Sequence, residues 1–306
     1  MNICNLIKNK IIAAPIAGIS DKAYRIIMKK HGCPLTFTEM ISAKGLYYNS
    51  ANTAALLDIR DEPGSVICQL FGSEPDIIAW AIKHLSDHGF AGFDINMGCP
   101  AQKIVKNGEG SALMKSPDLV AQIVDSAKSA TDLPVSVKIR KGWDENSVNA
   151  VTIAKIAEQN GANWVTVHGR TRSQQYAGLA DRSIIRDVAA ALTIPVIANG
   201  DVKSQNDNII EETGSHAAMA ARATIGNPWL FSGVEPTLHE RIETAIHHLH
   251  LAAGQKGELT AVREMRPQLS AYIKGIKGAS ELRTKLVRLD KIAEIENCLK
   301  IAITSM

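Results

Sequence analysis

The chain has 306 residues, a net charge of +3 and 45% apolar side chains, which predicts a globular protein large enough for one α/β barrel or two smaller domains. No run approaches the roughly 18 consecutive apolar residues of a membrane-spanning helix, and the first residues predict no secretory signal. Five scattered cysteines and the absence of CxxC and HExxH motifs argue against disulfides and zinc, so we expect a cytoplasmic protein without a metal.

Short β-rich runs recur along the first 222 residues, and segments with helical spacing separate many of them. Helices are predicted at 76–88, 117–131, 147–160 and 182–192. Strands that alternate with helices indicate parallel units, and eight strands favour a (β/α)8 TIM barrel, with a doubly wound sheet as the alternative. The predicted strands are KIIAAP (10–15), LTFTEM (35–40), SVICQLF (65–71), GFDINMG (92–98), PVSVKIR (134–140), NWVTVHG (163–169), IPVIANG (194–200) and HAAMAAR (216–222).

The C-terminal region of the chain differs from the rest because it contains no β-rich run. Helices are predicted at 238–254, at 260–273 and, as one or two helices, at 281–303. The segment 263–291 carries 8 basic and 3 acidic residues, which is either a solvated helix face or a surface for a polyanion such as RNA. The sequence therefore predicts a barrel domain over 1–236 and a small all-helical domain over 237–306.

Polar side chains stand at or near the ends of the predicted strands, where packing alone does not explain them. In (β/α)8 enzymes the catalytic groups lie at the carboxyl ends of the strands, and phosphate often binds after strands 7 and 8. The sequence therefore predicts a functional mouth at this end of the barrel. Its candidate residues are Glu39, Gln69, Asn96, Lys138, His168, Asn199 and Arg222.

Two groups among these residues suggest a flavin nucleotide. Gly200 would let the backbone approach a phosphate and Arg222 would neutralise its charge, although two ordinary turns would look the same. Gln69 and Lys138 supply an amide and a cation for the polar edge of a flavin ring, whereas His168 is either a ligand or a core histidine. No GxGxxG motif opens a β-α unit, so a nicotinamide reductant would visit a flavin rather than occupy a Rossmann site.

Cys99 stands in DINMGCPAQK (94–103), between a glycine and a proline that follow an apolar run. Proline cannot continue a strand and glycine marks a bend, so we expect the thiol where a strand becomes a loop. It is either a small buried hydrophobe or a reactive group at the mouth of the site.

Seven motifs follow one another along the predicted barrel: APIAGISD (14–21), TEM (38–40), DINMGCPAQK (94–103), VKIRKGW (137–143), VHGRTRSQQYAG (167–178), PVIANGD (195–201) and ARATIGNPW (221–229). Each motif alone is weak, but the combination resembles the tRNA-dihydrouridine synthase family in order over nearly the whole chain. The stretches VREMRPQLSAYIKG (262–275) and ASELR (279–283) resemble the helical domain of that family, most closely its bacterial B-type branch.

The resemblance implies a barrel that binds FMN and reduces the C5–C6 double bond of particular uridines in tRNA, with NADPH or NADH as reductant and Cys99 as proton donor. It implies that basic loops at the strand ends and the helical domain bind the tRNA backbone, and we expect the protein to be a monomer. The residues implied to line the flavin are Pro15, Ile16 and Ala17; those for its ring and ribityl chain are Gln69, Lys138 and His168; those for its phosphate tail are Asn199, Gly200, Asp201, Ala221 and Arg222. The residues implied to lie near the uracil are Asn96, Arg140 and Arg170.

The chain departs from the family pattern beside these residues. Glu109 stands in the loop after Cys99, where a small residue is usual, and a carboxylate there would repel RNA phosphate or disfavour the closed form of the loop. Ala221 replaces a glycine next to the phosphate arginine, where a Cβ would crowd the phosphate. Pro267 falls inside the predicted helix 260–273. Two alternatives therefore stay open: a tRNA-binding relative with little or no turnover, and a flavin barrel for a small molecule, similar to dihydroorotate dehydrogenase.

Overall fold

Eight strands lie where the sequence predicts them, in a computed structural model that describes residues 3–304. They are β1 (Ile11–Ala13), β2 (Leu35–Phe37), β3 (Ser65–Phe71), β4 (Gly92–Met97), β5 (Val135–Arg140), β6 (Trp164–His168), β7 (Val196–Asn199) and β8 (Ala217–Ala220). A further strand of two residues, Ile41–Ser42, pairs with the end of β3 and was not predicted.

The described strand pairs are all parallel, and their order bends the sheet into a barrel. Neighbouring strands follow the order β1-β8-β7-β6-β5-β4-β3-β2. Ile11 of β1 pairs with Ala218 of β8, so the first and last strands meet. The strands β1 and β2 lie side by side and flank the remaining gap. A doubly wound sheet would place β1 in its interior and leave two distant edges, so the (β/α)8 prediction is confirmed.

Helices cover the outside of the barrel and connect its strands. Every residue of β3 is buried, as expected for a parallel strand that helices cover on one side and the barrel interior on the other. No helix within residues 3–304 is long and apolar enough to cross a membrane. The four predicted helices are confirmed as Pro75–Leu85, Pro117–Ser129, Ala150–Gln159 and Arg182–Ala191, and the others in this region are Ile3–Ile7, Lys22–Lys30, Ala43–Tyr47, Ala51–Ala54, Gln102–Val105 and Ile209–Thr213.

The barrel interior is apolar at its amino-terminal end and polar at its carboxyl-terminal end. The apolar end is a buried cluster that includes Ile3, Ile7, Ile67, Trp164 and Ile197. Side chains alternate along a strand, so positions two or four residues further on point into the same interior. Those positions carry Gln69, His168 and Asn199, which brings polar groups from three strands to the barrel mouth.

Five helices follow the barrel and share a second hydrophobic cluster, to which Trp229 and Ala23 of the preceding chain also belong. The first begins at Leu238 with a capping box, in which the side chains of Thr237 and Glu240 each accept the other's backbone N–H. The helices are Leu238–Lys256, Glu258–Glu264, Arg266–Tyr272, Ala279–Leu286 and Ile292–Thr304.

The prediction of one helix over 260–273 is wrong, because two helices meet at Met265. Pro267 lies in the first turn of Arg266–Tyr272, where a helix does not use the backbone N–H that proline lacks. The proline therefore starts a helix rather than kinking one. Of the two options for 281–303, the structure has two helices.

Polar contacts join these C-terminal helices to the barrel. The side chain of Gln268 is 2% exposed, and its Oε1 accepts the backbone N–H of Gly226 at 2.9 Å. Lys256 binds Asp21 on the barrel and Glu264 on the helical side, each at 2.6 Å. These contacts hold the barrel and the C-terminal helices in one arrangement near the barrel mouth.

Candidate active site at the mouth of the barrel

Two adjoining cavities open at the carboxyl ends of the strands, with volumes of about 260 and 390 Å³. They share His168, Asn199, Ala221 and Arg222 as walls. The predicted residues that line the first cavity are Pro15, Ile16, Ala17, Gln69, Asn96, Cys99, Lys138, Arg140, His168, Asn199, Ala221 and Arg222. The second cavity adds Gly200 and Asp201.

Arg170 is the residue of the predicted set that the structure does not bring to either cavity. It is 2% exposed, and its guanidinium binds the Asp201 carboxylate at 2.7 Å and the carbonyl of Gly178. The expectation that Arg170 lies near the substrate therefore needs correction. Its side chain is buried outside both cavities, where it binds Asp201 and the loop after β6. Glu39 also lies outside both cavities, where its carboxylate accepts the N–H of Gly18 and burial raises its pKa.

The residues that line the cavities but were not predicted from the sequence are Ala14, Met40, Gly98, Pro100, Tyr176, Val202, Lys203, Met219 and Ala223. Tyr176 is 57% exposed, and its ring lies between the guanidinium groups of Arg140 and Arg222, with carbon-to-centroid distances of 5.9 and 5.4 Å. The sequence carried a signal for several of them: Met40 and Tyr176 belong to the TEM and VHGRTRSQQYAG motifs, and Lys203 follows PVIANGD by two residues.

Lys138 supplies a cation to the first cavity. Its Nζ donates to Asn199 Oδ1 at 2.8 Å, and Asn199 in turn donates to the carbonyl of Met219, which fixes the orientation of the amide. Burial lowers the pKa of Lys138 to about 8, and repulsion by Arg140 adds to the effect. The ammonium is therefore charged at neutral pH but poorly solvated, and it favours an anionic or electron-rich partner.

His168 lines both cavities, and Gly200 lines the second. Burial lowers the pKa of His168 to about 2, with nearby cations contributing, so the ring is neutral at physiological pH. Gly200 has a φ of 123°, and a Cβ there would lie 2.5 Å from the Cβ of Ala180 and 3.1 Å from the His168 ring. Only glycine fits this position, and it leaves the backbone open toward the second cavity.

The second cavity contains one carboxylate, Asp201, and two cationic side chains, Lys203 and Arg222. Burial alone would raise the pKa of Asp201, but the N–H of Ala180 and the Arg170 guanidinium stabilise its ionised form and hold the pKa below its usual range. Arg222 lies 3.2 Å from the same carboxylate, has a 59% exposed side chain and faces the cavity beside Lys203. This end of the site can therefore receive an anion.

The backbone around Cys99 is held on several sides. Its N–H donates to Asn96 Oδ1 at 2.9 Å, and its carbonyl accepts the N–H of Ser111 at 3.0 Å. Gly110 has a φ of 59°, and a Cβ there would lie 2.9 Å from the Cys99 carbonyl oxygen. Cys99 is partly exposed and lines the first cavity, whereas Cys33 and Cys68 are buried.

The family model for dihydrouridine synthase (Dus) matches residues 11–306, which includes every residue of this site. The chain belongs to the dihydrouridine synthase family. It is accordingly an enzyme, a flavin-dependent oxidoreductase, which agrees with a site that combines a cationic cavity and a thiol.

Members of this family match this chain over most of its length and over most of their own. A probable tRNA-dihydrouridine synthase of Rickettsia bellii is 36% identical over 90% of this chain and 89% of its own. The tRNA-dihydrouridine synthase B of Xanthomonas campestris pv. campestris is 37% identical over 92% of this chain and 89% of its own. Among solved structures, a variant of NCR from Zymomonas mobilis has a TM-score of 0.52 at 14% identity, covering 72% of this chain and 83% of the other, which supports the fold alone.

The departures from the synthase pattern are accommodated by the structure. Glu109 is 6% exposed, burial raises its pKa, and its carboxylate is not presented to solvent, so the expectation of an RNA-repelling surface group there is wrong. Ala221 has a φ of −114° and a ψ of −96°, so it lies outside the left-handed region that favours glycine, and the crowding of a phosphate by its Cβ stays a prediction.

Proposed function

We propose that the protein reduces the C5–C6 double bond of uridine in tRNA, with FMN as its cofactor, NADPH or NADH as the reductant and Cys99 as the proton donor. The observation that carries this proposal is the presence of the Cys99 thiol and the Lys138 ammonium in one cavity, next to a second cavity that suits an anion. Family membership supplies the reaction class.

The donors around the two cavities fit FMN. Arg222 and Lys203 would bind its phosphate, and Gly200 lines the same cavity with no side chain of its own. Gln69 and Lys138 would bind the polar edge of the ring, and Lys138 would favour the reduced, anionic ring. The wall formed by Pro15, Ile16 and Ala17 is suited to the apolar region of the ring.

Protonation of the uracil is the step that the chain itself would perform. A flavin held in this site would supply hydride for C6 of the base, and C5 would then need a proton from the protein. Cys99 would donate it, because its thiol lines the cavity and its backbone is fixed on both sides. Arg140 binds the carbonyl of Gly98 at 2.7 Å and would stabilise the thiolate that remains on Cys99.

The tRNA must present its target base unstacked at the cavity mouth. We propose that the helical region over 237–306 and the barrel rim, where Lys103 and Lys106 are exposed, bind its backbone. Some of the positive charge of 263–291 is neutralised within the protein, since Arg263 and Arg266 both pair with Asp290. The other exposed cations of this segment are Lys274, Lys277, Arg283, Lys285, Arg288 and Lys291, of which Lys285 pairs with Glu281.

The test begins with the absorption spectrum of the purified protein between about 300 and 550 nm, which reports bound flavin. Unmodified tRNA is then incubated with the protein and NADPH or NADH, and its dihydrouridine content is measured. We expect Cys99→Ala to retain the flavin and to lose dihydrouridine formation. The matched control is Cys298→Ala, which removes a partly exposed thiol far along the chain.

Three results would contradict the proposal. Full activity of Cys99→Ala would remove the thiol from the mechanism. Failure to bind added FMN would leave a tRNA-binding protein without turnover. Reduction of a small pyrimidine with no effect on tRNA would favour the small-molecule alternative.

A further inference from the structure

A carboxylate lies beneath the first cavity, in the interior of the barrel. Asp94 on β4 is 0% exposed and is not among the residues that line either cavity. One of its oxygens accepts Ser136 Oγ–H at 2.6 Å, and the other accepts Gln69 Nε2–H at 2.7 Å. Moving a carboxylate out of water costs free energy that its hydrogen bonds must offset, so the position of Asp94 at this depth needs an explanation.

The hydrogen bonds continue from Asp94 to the backbone of Cys99. Gln69 Oε1 accepts a hydrogen from Asn96 Nδ2 at 3.0 Å. Asn96 Oδ1 accepts the backbone N–H groups of Gly98 and Cys99, at 3.1 and 2.9 Å. Gln69 and Asn96 both line the first cavity, whereas Asp94 supports them from below.

The direction of these bonds is set from both ends. An ionised carboxylate has no hydrogen to donate, so Gln69 must turn its NH2 group to Asp94 and its oxygen to Asn96. The backbone N–H groups of Gly98 and Cys99 likewise require the oxygen of Asn96. The two ends of a carboxamide have nearly the same size, so hydrogen-bond partners rather than packing decide which end of Gln69 faces which neighbour.

We propose that Asp94 is a positioning residue, which fixes the carboxamide of Gln69 and, through Asn96, couples the cofactor-facing floor of the cavity to the backbone of Cys99. This proposal rests on the proposed function, because the coupling serves catalysis only if FMN binds in the cavity and Cys99 donates the proton. Burial raises the pKa of Asp94 to about 6, although Ser136 and Gln69 hydrogen-bond the ionised form. The carboxylate has therefore lost its contact with water, and the hydrogen bonds from Ser136 and Gln69 only partly replace that contact. A group buried at such a cost is expected to serve the site beside it.

The experiment separates positioning from simple support of the fold. The variants are Asp94→Leu, Gln69→Met, the double variant and Ser136→Ala, which loses a bond to the same carboxylate on the side away from Gln69. The readouts are the affinity for added FMN, the visible absorption bands of the bound flavin, and the alkylation rate of Cys99 by iodoacetamide, resolved by peptide mass spectrometry in the flavin-free full-length protein.

We expect Asp94→Leu to weaken FMN binding and to speed Cys99 alkylation by about three- to tenfold, the factor that one hydrogen bond contributes. Because Asp94 acts through Gln69, the double variant should match Gln69→Met in both quantities and show the same flavin bands. Ser136→Ala should stay within about twofold of the wild type. Asp94→Asn, which keeps the shape, replaces the leucine variant if that one does not fold, with effects in the same direction.

Additive effects in the double variant, or effects of Ser136→Ala as large as those of Asp94→Leu, would overturn the proposal, because they would mean that Asp94 only supports the barrel. Unchanged FMN affinity and Cys99 alkylation in Asp94→Leu or Asp94→Asn would also overturn it. The alkylation readout uses neither tRNA nor a reductant. A wild type without dihydrouridine activity would therefore refute the proposed function while the coupling is still decided.

Discussion

Replacing Lys138 with methionine should change how the stability of the flavin-free protein depends on pH. The pKa of Lys138 is lowered from 10.5 to about 8, chiefly by burial and then by Arg140. A lysine with a lower pKa in the folded state destabilises the fold where both states are charged, and this penalty fades as the pH rises from about 8 to 10.5. At about 1.4 kcal/mol per tenfold change in proton affinity, the penalty is about 3 kcal/mol at pH 7 and about 2 kcal/mol at pH 9.

Urea unfolding at pH 7 and pH 9 measures this effect. The free energy of unfolding of the wild type, minus that of Lys138→Met, should rise by about 1 kcal/mol between the two conditions. The lost hydrogen bond to Asn199 contributes mainly a constant offset to that difference. The matched control is Lys106→Met, at an exposed lysine of the Cys99 loop, for which we expect no such change. A difference that is the same at both pH values would refute the desolvation of Lys138.

Three further substitutions test the site and its supports. Gly200→Ala should weaken FMN binding by at least about tenfold, measured by flavin fluorescence, because its Cβ overlaps Ala180 at 2.5 Å. Gly110→Ala should lower the free energy of unfolding by about 2 kcal/mol, measured in urea, because it combines a positive φ with a contact of 2.9 Å to the Cys99 carbonyl. Lys256→Met should raise KM for tRNA severalfold, because Lys256 joins the C-terminal helices to the barrel. It should lower the free energy of unfolding by less than about 1 kcal/mol, because the ion pairs that it removes are partly exposed.

Matched glycines separate the crowding from the backbone conformation. Gly214→Ala controls for Gly200, since its φ is 64° and nothing lies within 4 Å of its Cβ position. Gly108→Ala controls for Gly110 in the same loop, with a φ of 75° and its nearest atom at 4.0 Å. Equal losses in a control and its partner would refute the crowding argument. An unchanged KM in Lys256→Met would show that this contact does not orient the C-terminal helices for tRNA.

The strands of the barrel were predictable because they are short runs buried on both faces. Such runs stand out against the amphipathic helices between them, and many carry a polar group near their end that has no packing reason to be there. The two-residue strand Ile41–Ser42 was not predictable in the same way, since its pairing with β3 depends on how the chain turns after Phe37. The junction at Met265 depended on where Pro267 falls within a helical turn, which periodicity does not report.

Arg170 shows why a correct motif can still mislead about a side chain. It follows His168 by two residues, so a continuing strand would point both side chains into the cavity. The strand ends at His168, and Gly169 then packs against the backbone of Asp181, with its Cβ position 2.5 Å from the carbonyl oxygen. This close approach turns the chain and directs Arg170 to Asp201. Spacing predicts a face only while the strand lasts.

The hydrogen bond between Gln268 and Gly226 joins the turn after β8 to the C-terminal helices. A Cβ at Gly226 would lie 2.6 Å from the backbone nitrogen of Tyr272, so no slack separates the two surfaces. Arg222 lies four residues before Gly226 in the same stretch of chain. A tRNA that moved these helices would therefore also move the turn that carries Arg222. By thermodynamic reciprocity, the factor by which tRNA changes the affinity for FMN equals the factor by which FMN changes the affinity for tRNA.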